Sequence, residues 1–235
     1  MTMTVHHRVP RDDLALGLVR VEGVQVGPAP QPLGEELELW IDHRSGGTLS
    51  PEEEAMRKGS RDILRNGVYK PTGRAKPASE YLMRAATEGN FPRINGPVDA
   101  NNLVSLRHCV AVSLWDLDLA QASAFEFRLG RAGESYVFNQ AGQVLDLEDL
   151  VCGCGLGEGD DPVSRPCVTP IKDSLATKLT RSTTRLAGCI YYPLEAGSEA
   201  HLADIALEFQ RWLQSCGEGA QGASGICRAG QSVSL

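Results

Sequence analysis

Two polar stretches hold the side chains best suited to chemistry. Arg93 to Asp118 (RINGPVDANNLVSLRHCVAVSLWDLD) mixes Asn95, Asp99, Asn101, Asn102, Ser105, Ser113 and Asp116 with Val98, Leu103, Leu106, Leu114 and Trp115. Amides and hydroxyls set among apolar residues suit a cleft in which a few polar groups orient a bound molecule. The same residue types serve ordinary capping and turns, Asp99 and Asn102 in particular. A second stretch, Lys172-Asp173-Ser174-Leu175-Ala176-Thr177-Lys178-Leu179-Thr180, leads into Ser182-Thr183-Thr184. Threonine-rich strand edges are equally common in a purely structural role.

Other familiar chemistries lack their residues. The chain has no P-loop, no nucleophile elbow and no HExxH helix. Gly153-Cys154-Gly155-Leu156-Gly157 is glycine-rich, but Glu158, Asp160 and Asp161 follow at once and would repel a phosphate. Cys152, Cys154 and Cys167 offer three sulfur ligands, with His108, Cys109 or Cys189 as a fourth. Zinc sites normally pair cysteines two residues apart, and only one CxC is present. Buried free thiols are the simpler reading, and no metal is expected. His43, His108 and His201 stand alone in sequence, so none announces itself as catalytic.

The formal net charge of −7 argues against wholesale wrapping of nucleic acid. Between Met56 and Lys76 the balance reverses: Arg57, Lys58, Arg61, Arg65, Lys70, Arg74 and Lys76 face the single Asp62. On a helix Arg57, Arg61 and Arg65 fall at i, i+4 and i+8 and share a face. That strip is either a solvated helix face or a landing strip for phosphates on an otherwise acidic body.

The elements that would position these groups read as one α+β domain. The 235 residues are 42% hydrophobic and 23% charged, enough to bury a core. Leu14 to Val26 alternates as one or two strands with a turn at Gly23, and Pro28, Pro30 and Pro32 hold the next segment extended. Helices are expected from Leu33 to Asp42, from the Ser50-Pro51-Glu52-Glu53 cap to Asn66, from Ser79 onward, from Asp99 to Leu106, and from His201 to Gln214. Ala111–Leu114, Phe125–Leu129 and Leu186–Tyr192 read as strands. Residues 136–139 and 143–147 read as a hairpin, and Cys152 to Pro162 as a loop. Residues 1–13 are expected as a flexible terminus, 14–215 as the domain and 216–235 as a loose tail. The opening MTMTVHHRVPRDD lacks the apolar core of a secretory signal, and no apolar run is long enough to cross a bilayer. Seven cysteines do not suggest a compact disulfide framework, so a cytoplasmic setting is expected.

At the two polar stretches the chain resembles the tRNA-editing domain of the phenylalanyl-tRNA synthetase β subunit, and more closely the free-standing copies of that domain. Lys76-Pro77-Ala78-Ser79-Glu80-Tyr81-Leu82, with Arg84, resembles the family's Pro-Ser-Ser-Glu-x-Leu helix start. Arg93-Ile94-Asn95, then Val98-Asp99 with Asn102, Ser105 and Leu106, resembles its Val-Asp-x-x-Asn helix. Trp115-Asp116-Leu117-Asp118 resembles the Phe-Asp-Leu-Asp that follows, and Asp173-Ser174, Thr177 and Thr180 resemble the closing segment. The likeness spans roughly Leu14 to Gln214. Where the synthetase pattern has a histidine three residues before the aspartate, this chain has Ser113.

The resemblance implies an α+β fold of mixed and antiparallel, sandwich-like sheets flanked by helices. It also implies a hydrolase acting in trans on the ester of a mischarged aminoacyl-tRNA, with tRNA(Arg) carrying canavanine as one substrate known among free-standing relatives. Such hydrolysis needs a held terminal adenosine, a placed water and a stabilised oxyanion, without cofactor or covalent nucleophile. Asn102 and Ser113 are the expected catalytic groups. Ser79, Glu80, Arg93, Asn95, Asp99, Asp116, Asp173, Ser174 and Thr177 are expected around the substrate, and the Arg57–Lys76 strip is expected on the acceptor stem. One of Asp99, Asp116 and Asp173 would receive a guanidinium-like side chain. The expected partner is the acceptor end of tRNA, with no DNA and no membrane. A non-catalytic RNA-binding module and a binder of free amino acid or nucleotide are the alternatives.

Overall fold

The computed structural model describes residues 2–157 and 163–235. In chain order the elements are β1 (Thr4–His7), β2 (Leu14–Glu22), α1 (Gln31–Ser45), α2 (Pro51–Asp62), α3 (Ala78–Thr87) and α4 (Gly96–His108). They continue with β3 (Ala111–Asp116), α5 (Leu117–Ala120), β4 (Ala124–Leu129), β5 (Ser135–Val137), β6 (Val144–Asp146), β7 (Val151–Leu156) and β8 (Ser164–Val168). β9 (Arg185–Pro193), α6 (Glu199–Gln214), β10 (Gln221–Arg228) and β11 (Ser232–Ser234) complete the chain. Short 3-10 turns occupy Gly73–Ala75 and Leu175–Thr177.

The architecture is mixed α+β, with the layers set by strand alternation. A four-stranded antiparallel sheet, β10-β2-β9-β3, lies between helices and a five-stranded sheet, β11-β1-β4-β7-β8. On β2, Leu14, Leu16 and Leu18 join the core between the two sheets, while Ala15, Val19 and Val21 join the core beneath the helices. On β9, Ala187, Cys189 and Tyr191 divide in the same way from Leu186, Ile190 and Tyr192. A strand buried on both faces reads as a continuous apolar run, which is why LAGCIYY looked like a core strand. The two-strand β5–β6 hairpin stands apart as a small sheet of its own.

Local chemistry sets the boundaries. Ser50 Oγ accepts from Glu53 N, and Glu53 Oε2 accepts from Ser50 N at 2.8 Å, so the expected capping box starts α2. α2 ends at Asp62, short of the expected Asn66, and the turn that follows closes at Gly67 with φ +43°. α4 starts three residues earlier than expected. Asn95, in an extended conformation, accepts from Val98 N at 3.1 Å, and Pro97 sits where no helical N–H is required.

Three expectations are corrected. Residues 4–7 are not a flexible terminus: β1 runs parallel to β4 and antiparallel to β11, with Val5 and His7 wholly buried. Four residues are too few to display a period in sequence. The glycine- and serine-rich tail is equally ordered, as β10 paired along β2 and β11 paired with β1. Gly222 answers a close approach: a Cβ there would lie 2.9 Å from Gln210 Cγ on α6. Cys152 to Leu156 is strand β7 rather than loop, because Phe127 and Phe125 of β4 pair with Gly153 and Gly155. A Cβ on Gly153 would meet Phe127 Cζ at 2.7 Å, so the ring fills the space a side chain would take. The acidic part of that expected loop, including Glu158, Asp160 and Asp161, lies outside the described residues.

Candidate ligand-binding site

The candidate site is a cavity of about 310 Å³ where the helical layer meets β3. α4 supplies one wall: Asn95, Val98 and Asn102 recur at helical spacing and line it together with Asn101. Ala100, Leu103, Leu106 and Leu82 of α3 hold that wall against the core. α4 stops at Cys109, whose φ of 57° is left-handed, and Ser105 Oγ donates to Val110 O at 2.7 Å as the chain turns into β3. Val112 and Leu114 of β3 face the cavity from below.

The segment 169–179 forms the opposite wall. Thr169 Oγ1 donates to Lys172 O at 2.9 Å and accepts from Lys172 N, making a tight turn that presents Asp173 to the cavity. Tyr136 OH clamps the turn from the hairpin, with Lys172 O at 2.6 Å and Thr169 Oγ1 at 3.1 Å. Asp173 is half-buried. Its Oδ2 accepts from Leu114 N at 3.2 Å and its Oδ1 from Thr169 N at 3.3 Å. Desolvation pushes its carboxyl up to about 6, against the opposing pull of Leu114 N, the Ser113 hydroxyl, Thr169 N and the more distant Lys178. Each oxygen keeps a lone pair for a further donor.

Polar groups of unlike character share this space. Asn101 Nδ2 donates to Asn102 Oδ1 at 3.4 Å, which leaves Asn101 Oδ1 buried without a partner. Lys172 Nζ sits 4.0 Å over the Phe138 ring, and Lys178 Nζ donates to Phe138 O at 2.6 Å. The cavity is therefore lined by the Asp173 carboxylate and the amides of Asn95, Asn101 and Asn102, together with the cations Lys172 and Lys178. Sequence reasoning missed Lys172, Lys178 and Phe138 as site residues. The signal for the two lysines was their place six residues apart in the polar run 172–180.

The remaining expected site residues are distributed elsewhere. Ser113 is fully buried between the sheets, where its Oγ donates to Thr169 O at 2.9 Å and lies 3.1 Å from Tyr191 OH. It points away from Val112 and Leu114 because alternate residues on a strand face opposite sides, and its hydroxyl acts on the Asp173 carboxylate from beneath the cavity wall. Asp99 accepts from Arg93 Nε and Ile94 N, each at 3.0 Å, and ties the preceding loop to α4. Asp116 caps α5 and accepts from Thr183 Oγ1 at 2.5 Å. Of the three candidate acids only Asp173 lines the cavity. Ser174 caps the Leu175–Thr177 turn and Thr177 Oγ1 donates to Cys167 O at 3.2 Å, both as scaffold. Ser79 is fully buried on α3, its Oγ without a partner.

Three of the seven cations in the basic strip pair with neighbouring carboxylates. Glu80, expected at the substrate, instead accepts from Arg57 at 3.2 Å and from Arg61 Nε at 2.7 Å. Arg57 also pairs with Glu54, and Arg65, beyond the end of α2, with Asp62 at 2.9 Å. Lys58, Lys70 and Arg74 are exposed and Lys76 is half-buried. A second cavity of about 430 Å³ opens beside Arg44, Arg57 and Glu80.

Among the described residues no three His, Cys, Asp or Glu side chains group as a metal site. All seven thiols are free and buried, and burial pushes Cys154 up to about 12 and Cys167 to about 11. No described helix is long and apolar enough to cross a membrane.

No family model matches the chain, and no curated protein matches it. Among solved structures it is similar to an N-terminal fragment of the phenylalanyl-tRNA synthetase β-subunit from Pyrococcus horikoshii, at 11% identity and a TM-score of 0.44. The match covers 94% of this chain and 50% of that one, so the chain spans half the fragment's length. No residue correspondence follows from a likeness at that level.

Proposed function

We propose that the chain hydrolyses the ester of a mischarged aminoacyl-tRNA in trans, with the charged 3′ end seated in the cavity beside Asn102 and Asp173. The observation that carries this reading is the distribution of polar groups lining the cavity: a carboxylate and side-chain amides beside two lysines. An aminoacyl ester matches that order, since its ammonium or a cationic side chain seeks acceptors while its nucleotide carries phosphate. A guanidinium-like side chain is the best fit for Asp173, which can pair with it through both oxygens. The amides of Asn101 and Asn102 stand where they can orient water and polarise the ester carbonyl, an acyl group that needs little further activation. The sequence landmarks shared with editing domains support the same reading.

A second reading rests on cavity size. About 310 Å³ lies at the small end of ligand pockets and suits a free cationic amino acid. Deliberately mischarged tRNAs, incubated with the protein, separate the two. The hydrolytic reading requires at least one ester half-life to shorten at least about tenfold, and Asp173→Asn or Asn102→Ala to restore it. Unchanged half-lives across the panel, with saturable binding of a free amino acid, overturn hydrolysis in favour of binding.

A further inference from the structure

We infer that Lys172, Lys178 and Arg74 form a phosphate-binding rim at the mouth of the cavity, so that a single-stranded RNA 3′ end enters with its phosphodiester at the rim and its terminal group toward Asp173. The orientation rests on the hydrolytic reading, while the rim itself stands on its own geometry.

The three cations lack the carboxylate partner that five arginines near the helices possess. Arg57, Arg61, Arg65, Arg93 and Arg107 each lie against a carboxylate. Among the described residues, Lys172, Lys178 and Arg74 have no carboxylate at ion-pair distance. Two of them are nevertheless held in place: Phe138 offers its ring face to Lys172 and its carbonyl to Lys178, so both ammoniums converge on one residue. The backbone beneath Lys172 is fixed by Tyr136 OH. Ala78 N, just beyond the turn that carries Arg74, donates to Pro170 O at 2.9 Å and keeps the two segments together. Lys172 titrates below its ordinary range, through burial first and then the positive charges of Arg74 and Lys178. Ordered like charges without a counter-ion are repulsive, and a phosphate relieves that repulsion. Ile94, 63% exposed at the same mouth, adds an apolar surface suited to a nucleobase or ribose face.

The test uses the uncharged trinucleotide CCA and, separately, inorganic phosphate, titrated over a range of salt. Each phosphate contact on a single strand contributes roughly −0.7 to the slope of log K against log salt. The Lys172→Gln/Lys178→Gln protein should bind the trinucleotide at least about tenfold more weakly and lose roughly 0.7 from that slope, the share of the one phosphodiester at the rim. Arg228→Gln, which removes an arginine paired with Glu199 on α6, should change neither. Equal affinity and slope in the lysine variant and the wild type overturn the rim. Inorganic phosphate binding as tightly as the trinucleotide overturns the RNA assignment and leaves a free-anion site. Rim-dependent trinucleotide binding without ester hydrolysis retires the hydrolytic reading and keeps the rim. Hydrolysis with an unchanged KM in the lysine variant does the reverse.

Discussion

Replacing Asp173 by asparagine removes a carboxyl that the fold moves from an ordinary 3.8 to about 6. Below the lower value both the folded and the unfolded chain hold the proton, and the group has no effect on stability. Between the two values the folded protein keeps a proton that the unfolded chain has released, so stability falls as pH rises, and the loss is complete above the upper value. The full loss is about 3 kcal/mol, of which about 2 kcal/mol falls between about pH 4 and about pH 7.5. Asparagine cannot ionise and escapes this loss. It does place an NH2 where one of the Leu114 and Thr169 N–H groups expects an acceptor, a constant penalty of roughly 1–3 kcal/mol. Urea unfolding of both proteins across that pH range isolates the effect, because all other titrating groups cancel in the difference. The wild type should lose about 2 kcal/mol relative to Asp173→Asn as pH rises. A difference that stays level with pH would refute the reasoning, since it would mean that the N–H donors and nearby lysines hold the carboxylate ionised at its ordinary value.

Ser113→Ala deletes the hydroxyl shared by Thr169 O and Tyr191 OH, and should cost roughly 1–3 kcal/mol in urea unfolding. Its kcat for ester hydrolysis should stay within about twofold of wild type, and a much larger fall in a folded variant would place Ser113 in the chemistry. Ser50→Ala breaks the capping box of α2 and should lower stability by about 1 kcal/mol. An unchanged unfolding midpoint would show that α2 is held by packing alone.

What the sequence disclosed, and what it hid, divide along physical lines. The helix starts at Ser50 and Ser79 and the strand 186–192 were legible because caps, prolines and apolar periods act locally. The stretch around Asn95 to Asn102 was legible as a polar cleft wall for the same reason, since its spacing is that of one helix face. The position of Ser113 was not, because its neighbours in the strand give no sign of which face looks into the cavity. Asp99, Asp116 and Asp173 look alike in sequence. Only the third dimension gives Arg93 to the first and the start of α5 to the second, leaving Asp173 to line the cavity. Likewise Glu80 lies 19 residues from Arg61 in the chain, and their pairing depends on how α2 packs against α3. Phe138 entered the site by the same route, as the tip of a hairpin whose strands touch neither large sheet by backbone pairing.

Thr4 stands opposite Ser234, 230 positions away, in the sheet that holds β1. During synthesis the first strand emerges long before the segment that covers its flank. Until β11 arrives, β1 can gain only the partnership with β4, and its other side remains an open ladder of N–H and C=O groups. Removing Ser232–Ser234 would leave that edge of β1 open to edge-to-edge association.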